Sequence, residues 1–170
     1  SASASAPSML GVRSSVMTSP GKSSAAAGRA GGRASSADAP SMMGALIDID
    51  RIRMGRDTRT TVMVRHIPNK YTQDMLLEAL NKTHSRRYDF VYLPIDFNNH
   101  CNVGYAFVNF MNPIDIIAFV ENFAGKKWER FNSEKICSLN YARIQGKENL
   151  IRHFKHSGVM HEQKKYRPKL

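Results

Sequence analysis

The stretch NVGYAFVNF, residues 102–110, decides how this chain is read. Tyr105 and Phe107 are two apart, so on a β-strand they share one side of the sheet. Ala106, Val108 and Phe110 take the other. A strand that packs one face against a core needs large apolar groups on that face only. Here both faces carry them, so each must have a use.

The flanking sequence supplies the frame. A β-branched, alternating run at residues 60–67, TTVMVRHI, reads as a strand ended by Pro68 and Asn69. Thr72 is placed to cap the following helix, TQDMLLEALNK, with Asp74 in its first turn and Leu76, Ala79 and Leu80 as its apolar stripe. YDFVYLPI, residues 88–95, reads as a second strand, closed by Pro94 and a polar loop, DFNNHCN. Its apolar residues fall on both phases, which leaves the register of Tyr92 open. After the third strand, Asn112 and Pro113 look like an N-cap and first helical residue. Ile116, Phe119, Val120 and Phe123 follow at i, i+3, i+4, i+7, and Gly125 stops the helix. KICSLNYA, residues 135–142, is the last strand, with Cys137 assigned to the core. Two helices with one apolar stripe each cover one face of a four-stranded antiparallel sheet. The expected fold is α+β, a ferredoxin-like βαββαβ unit. Ala106, Val108 and Phe110 then face the helices, and Tyr105 and Phe107 stand on an open face.

Around this core, at residues 59–143, the chain changes character. Residues 1–40 are rich in Ser, Ala and Gly and hold too little apolar surface to offset ordering entropy, so disorder is expected there. The GKSS at Gly21 lacks the glycine a phosphate-binding loop needs five positions before Gly21; Val16 occupies it. Residues 41–58 read as an ordered leader. Residues 144–157 read as a third helix and 158–170 as a basic tail. The 170-residue chain carries a net charge of +11. Residues 57–142 hold ten Lys and Arg against nine Asp and Glu; residues 143–170 hold eight against two. The excess is therefore concentrated after the core, which suits a polyanion partner. No run of 18 apolar residues exists and no secretory signal is visible, so an intracellular setting, nuclear or cytoplasmic, is expected. Two cysteines are too few for a disulfide framework. The chain does not begin with methionine and is read as a fragment or a processed form.

An aromatic pair on an open sheet face is costly unless something covers it. In RNA recognition motifs nucleobases do so, at roughly 1–3 kcal/mol per stacked base. The octamer of that module is K/R-G-F/Y-G/A-F-V-x-F/Y. VGYAFVNF, residues 103–110, matches seven of its eight positions, with Val103 where a cation is usual. The partner hexamer is VMVRHI, residues 62–67, with Met63 in the aromatic slot and His66 where Asn is usual. Methionine is polarizable but has no ring. Arg65 projects on the same side as Met63 and suits phosphate or base stacking.

Beyond these motifs, DTRTTVMVRHIPNKYT, YDFVYLPIDFNNHCNVGYAFVNF, GKKWERFNSEKICSLNYARIQGKENLIRHF and YRP together resemble the carboxy-terminal RNA recognition motif of the Mei-two-like proteins. These are RNA-binding regulators of meiosis and development in plants and fungi. The resemblance runs from about residue 47 to 168 and implies RNA binding, with no enzymatic activity. Two upstream motifs found in many members are absent here. The expected stacking residues are Tyr105, Phe107 and Met63. Arg65, Asn109, Ser138 and Asn140 are expected to supply polar contacts from the same face. Arg143, Lys147, Arg152 and Lys155 are expected to meet phosphates.

QGKENLIRHFKH, residues 145–156, places Leu150, Ile151 and Phe154 on one side of a helix and Lys147, Arg152 and Lys155 on the other. It is either a helix that packs elsewhere before a frayed tail carrying Lys164, Lys165, Arg167 and Lys169, or a phosphate-binding element beside the open face. A third account makes it a lid over that face. His153, His156 and His161 lie near one another, but without cysteines or paired carboxylates no metal or other cofactor is expected. Cys101 beside His100 has no orienting acid and is not read as a nucleophile. Trp128 is expected to pack at the sheet edge. Single-stranded RNA is the expected partner. A protein-interaction domain on the same fold is the alternative, favoured by Met63 and Val103. An acylphosphatase-like enzyme finds no supporting residues.

Overall fold

The structure, a computed structural model, describes residues 42–156 and 167–170. The expected disorder of residues 1–40, His161, Lys164 and Lys165 all fall outside the described residues. The elements are α1 (Ile49–Arg53), β1 (Thr61–Arg65), α2 (Gln73–His84), β2 (Tyr88–Tyr92), β3 (Ile95–Asp96), β4 (Cys101–Asn102), β5 (Tyr105–Phe110), α3 (Asp115–Phe123), β6 (Ser138–Tyr141) and α4 (Lys147–His156). The main sheet has the order β2-β5-β1-β6 and every neighbouring pair is antiparallel. The α+β, ferredoxin-like arrangement read from the sequence is the one found.

One face of the sheet is the main core. Val62, Val64, Val91, Ala106, Val108, Phe110, Leu139 and Tyr141 pack there against Leu76 and Leu80 of α2 and Ile116 and Phe119 of α3. Thr72 caps α2, its hydroxyl accepting from the Met75 N–H at 3.2 Å. The start of α3 differs from expectation. Asn112 gives no side-chain cap; its carbonyl accepts from Asp115, and Pro113 and Ile114 carbonyls accept from Ile116 and Ile117. These i→i+3 bonds wind the entry into a tight turn, which satisfies the first amides without a cap. Gly125, at φ +72°, ends the helix as read.

Two further differences matter for function. The DFNNHCN segment is not all loop: Ile95 pairs with Asn102 and Asp96 with Cys101 in a small separate hairpin. In β2 the register slips between Tyr88, opposite Phe110, and Phe90, opposite Asn109. The extra residue, Asp89, forms a bulge. Tyr88 therefore joins the helix-side core, while Phe90 and Tyr92 turn to the other face. A bulge changes the phase of a strand mid-run, which is why residues on both phases were apolar.

Backbone from elsewhere in the chain pairs with both sheet edges. The leader runs along β6, with Gly44 donating to the Tyr141 carbonyl at 2.7 Å and Tyr141 donating to Ala45 at 2.9 Å. A Cβ on Gly44 would stand 2.7 Å from the Tyr141 carbonyl oxygen, so glycine alone permits this approach. At the opposite edge Lys169 exchanges two backbone bonds with Val91, and Gln73 donates to the Arg167 carbonyl. Lys169 thus forms an isolated antiparallel bridge to the edge of β2. Such pairing reduces the unpaired edge that invites association. Cys137 is buried, and burial pushes its thiol up to about 12, so it is an inert core group. Trp128 is also buried in the main core, its ring 5.2 Å edge-on to Tyr71.

Candidate nucleic-acid interface

The second face of the sheet carries the residues expected to bind RNA. Pairing sets Met63 beside Phe107 and Asn140, Arg65 beside Tyr105 and Ser138, and Tyr92 beside Phe107. The sequence motifs therefore do converge on one surface, and the bulge adds Phe90 and Tyr92 to it. Tyr105 and Phe107 meet edge to face at 5.7 Å.

This face is not open. Tyr105 is 2% exposed, Phe107 1% and Met63 0%, because α4 lies across them. The expectation of rings standing in water is overturned. Leu150 and Phe154 enter the cluster with Ile151 at its margin, and Met42 and Met43 of the leader pack against it too. The Phe154 ring centroid is 4.6 Å from Tyr92, 5.5 Å from Phe107 and 6.3 Å from Phe90, nearly parallel to the last at 15°. The physical cause is mutual. The face and the helix stripe are each too apolar to remain in water, and they meet because the chain reverses between them.

Gln145 directs that reversal. Its side-chain oxygen accepts from the Thr60 and Thr61 N–H groups at 3.0 and 2.9 Å. Its amide donates to the Thr61 and Ala142 carbonyls at 2.9 and 2.8 Å. Gly146, at φ +87°, then turns the chain, and its N–H donates to the Thr61 hydroxyl at 2.8 Å. This lock was not anticipated; a glutamine followed by glycine just after the last strand is a weak signal. Gln145→Ala leaves the Thr60 and Thr61 amides without that acceptor, and a lost buried partner costs about 1–3 kcal/mol. A lower melting temperature with faster amide exchange along α4 is the expected result.

The polar residues divide. Asn109 is buried; its side-chain oxygen accepts from the Thr60 and Thr61 hydroxyls and its amide donates to Asp89 at 2.8 Å. In this structure its polar groups are engaged within the fold. Asn140 is likewise buried, while Ser138 and Arg65 are half-buried. Arg65 donates to the Met43 sulfur at 3.1 Å. His66, at φ +59°, is exposed at the end of β1, with Nδ1 3.0 Å from the Ile136 carbonyl. Asn and His are both enriched in that left-handed region, which accounts for the exchange of one for the other. A cleft of about 530 Å³ lined by Arg65, His66, Val103, Tyr105 and Lys135 marks this end of the face. Val103 also packs against the ring cluster, an apolar use for the octamer's missing cation. Arg143, Arg152 and Lys155 are exposed and Lys147 half-buried, all at or on α4. Among the described residues no cluster of His, Cys, Asp or Glu suits a metal, and no helix is long and apolar enough to cross a membrane.

A ferredoxin-like unit with the octamer and hexamer motifs on adjacent central strands is an RNA recognition motif. The chain belongs to the RNA recognition motif 2 family, which it matches over residues 59–155. Its relatives there are Mei-two-like proteins, as the sequence resemblance indicated. MEI2-like 4 of Oryza sativa subsp. japonica is 61% identical over 122 residues, 72% of this chain and 12% of that protein. MEI2-like 4 of Arabidopsis thaliana is 57% identical over 122 residues, 72% of this chain and 14% of that protein. The chain thus spans under a sixth of the length of either. Likeness to solved structures is slighter: the RNA recognition motif of Rna15 with bound RNA aligns at a TM-score of 0.45 and 17% identity, covering 56% of this chain and 96% of that one.

Proposed function

We propose that this domain binds single-stranded RNA on the face of Tyr105, Phe107 and Met63, and that α4 is a lid which RNA displaces. The observation that carries this reading is the seat of Phe154, a planar ring held against Phe90, Tyr92 and Phe107 where a base would lie. Burying Leu150 and Phe154 contributes about 1.5–3 kcal/mol each. Stacking contributes about 1–3 kcal/mol per base, so two or three bases offset the lid. The exchange is close to balanced, which makes it reversible. Arg143, Lys147, Arg152 and Lys155 supply phosphate contacts, and Arg65 and Ser138 supply polar contacts once the face is uncovered. In this reading the domain works without catalysis, as the RNA-binding part of a Mei-two-like regulator of meiosis or development acting after transcription.

Amide exchange with and without a saturating single-stranded RNA tests the lid. Exchange along α4 is expected to accelerate while β5 becomes more protected. RNA that binds with α4 exchange unchanged would leave the rings as core and the sheet face unused. The observation favouring that second reading, a domain whose partners bind elsewhere, is the near-complete burial of all three stacking candidates.

A further inference from the structure

We infer that a cleft on the flank of α4 is a base-independent phosphate site that holds RNA while the lid is still closed. The inference rests on RNA being the ligand, but not on the sheet face being used. The cleft, of about 590 Å³, lies between residues 143–145 and α4 and is lined by Arg143, Gln145, Asn149, Arg152, His153 and His156. Asn149, Arg152, His153 and His156 fall at i, i+3, i+4 and i+7, so they share one flank of the helix. Two arginines and two histidines line the space beside Ile144, and among the described residues no carboxylate and no Phe, Tyr or Trp ring does. Such a lining attracts a polyanion through its phosphates, and the two guanidinium groups suit a phosphate whatever base it carries.

Its most useful feature is a guanidinium held in place. Arg152 Nη1 donates to the Asn149 side-chain oxygen at 3.2 Å, and Asn149 donates in turn to the Gln145 carbonyl at 2.9 Å. Gln145 is the residue locked to β1. Arg152 is therefore positioned through a chain of bonds that starts in the sheet, and less side-chain freedom is lost when it meets a phosphate. Arg143 stands on the opposite wall. Because one wall is the connection and the other is α4, lifting the helix separates them. A ligand in the cleft thus favours the docked lid, by preferring one of two states. The same helix then opposes stacking twice, through Phe154 on its inner side and through phosphate on its flank. RNA held only by phosphate leaves the lid down; enough bases must compete to raise it.

A base-free ribose-phosphate oligomer isolates the cleft, since it cannot stack. Wild-type protein is expected to bind it with a salt-dependent affinity, and α4 amide exchange is expected to slow. Arg143→Gln/Arg152→Gln should weaken binding about tenfold and reduce the salt slope by about 1.4, at roughly 0.7 per phosphate contact for single strands. Lys126→Gln, on the far side of the sheet, should change neither. Equal binding and slope in the double variant overturns the inference, as does faster α4 exchange with the oligomer. Displacement of the oligomer by equimolar inorganic phosphate would assign the cleft to free phosphate and overturn it also. Base-containing RNA separates the two proposals. If it still accelerates α4 exchange when the oligomer fails to bind, the lid stands and the cleft falls.

Discussion

Phe154→Ala is expected to raise the affinity for single-stranded RNA by about tenfold to a hundredfold, a gain of function from a truncated side chain. The ring sits inside a bed of three aromatic side chains and stabilises the closed lid by about 1.5–3 kcal/mol. Apparent affinity is the intrinsic affinity reduced by the fraction of molecules in the competent state. Removing that energy from the closed state raises the fraction by the same factor, at 1.4 kcal/mol per decade. The point variant is more informative than deleting α4, because deletion also removes Lys147, Arg152 and Lys155. Titration by fluorescence anisotropy at two salt concentrations checks it. The salt slope should stay constant while the affinity rises. An unchanged or weaker affinity would show that Phe154 does not compete with RNA.

Phe107→Leu is expected to have the opposite effect. Phe107→Ala would confuse binding with folding, since emptying a fully buried aromatic site costs about 3–5 kcal/mol. Leucine keeps much of the volume against Met63 and Phe154 and removes only the ring. The domain should remain folded, with a small fall in melting temperature. RNA binding should weaken by about 1–3 kcal/mol, the contribution of one stacked base, or roughly fivefold to 150-fold. Paired with Phe154→Ala, the two changes should act in opposite directions on affinity although the side chains touch. If both variants weaken binding alike, the ring cluster acts only as a core.

Much of the fold was legible because its signals are local. Thr72 caps a helix by its own chemistry, Gly125 ends one by its positive φ, and Ile116 and Phe119 fall on one helical face. Asn112 misled because a tight turn can satisfy the same amides a cap would. The phase of Tyr92 was undecidable, since a one-residue bulge at Asp89 inverts a strand without altering its composition. Asn109 sat on the expected face, but its amide and carbonyl oxygen were already engaged by Thr60, Thr61 and Asp89, which are distant in the chain.

Alone, the sequence determined the sheet, the two covering helices and the ring-bearing side, because alternation and helical spacing are properties of neighbouring residues. Tertiary structure alone decided that this side is covered. The same apolar stripe on residues 147–156 would suit a helix packed anywhere. The bonds from Gln145 and Gly146 to the start of β1, together with the seat of Leu150 and Phe154 among the rings, aim it back across Tyr105 and Phe107. Whether a ring meets water depends on what else arrives there, and that is a property of the folded chain rather than of the strand that carries it.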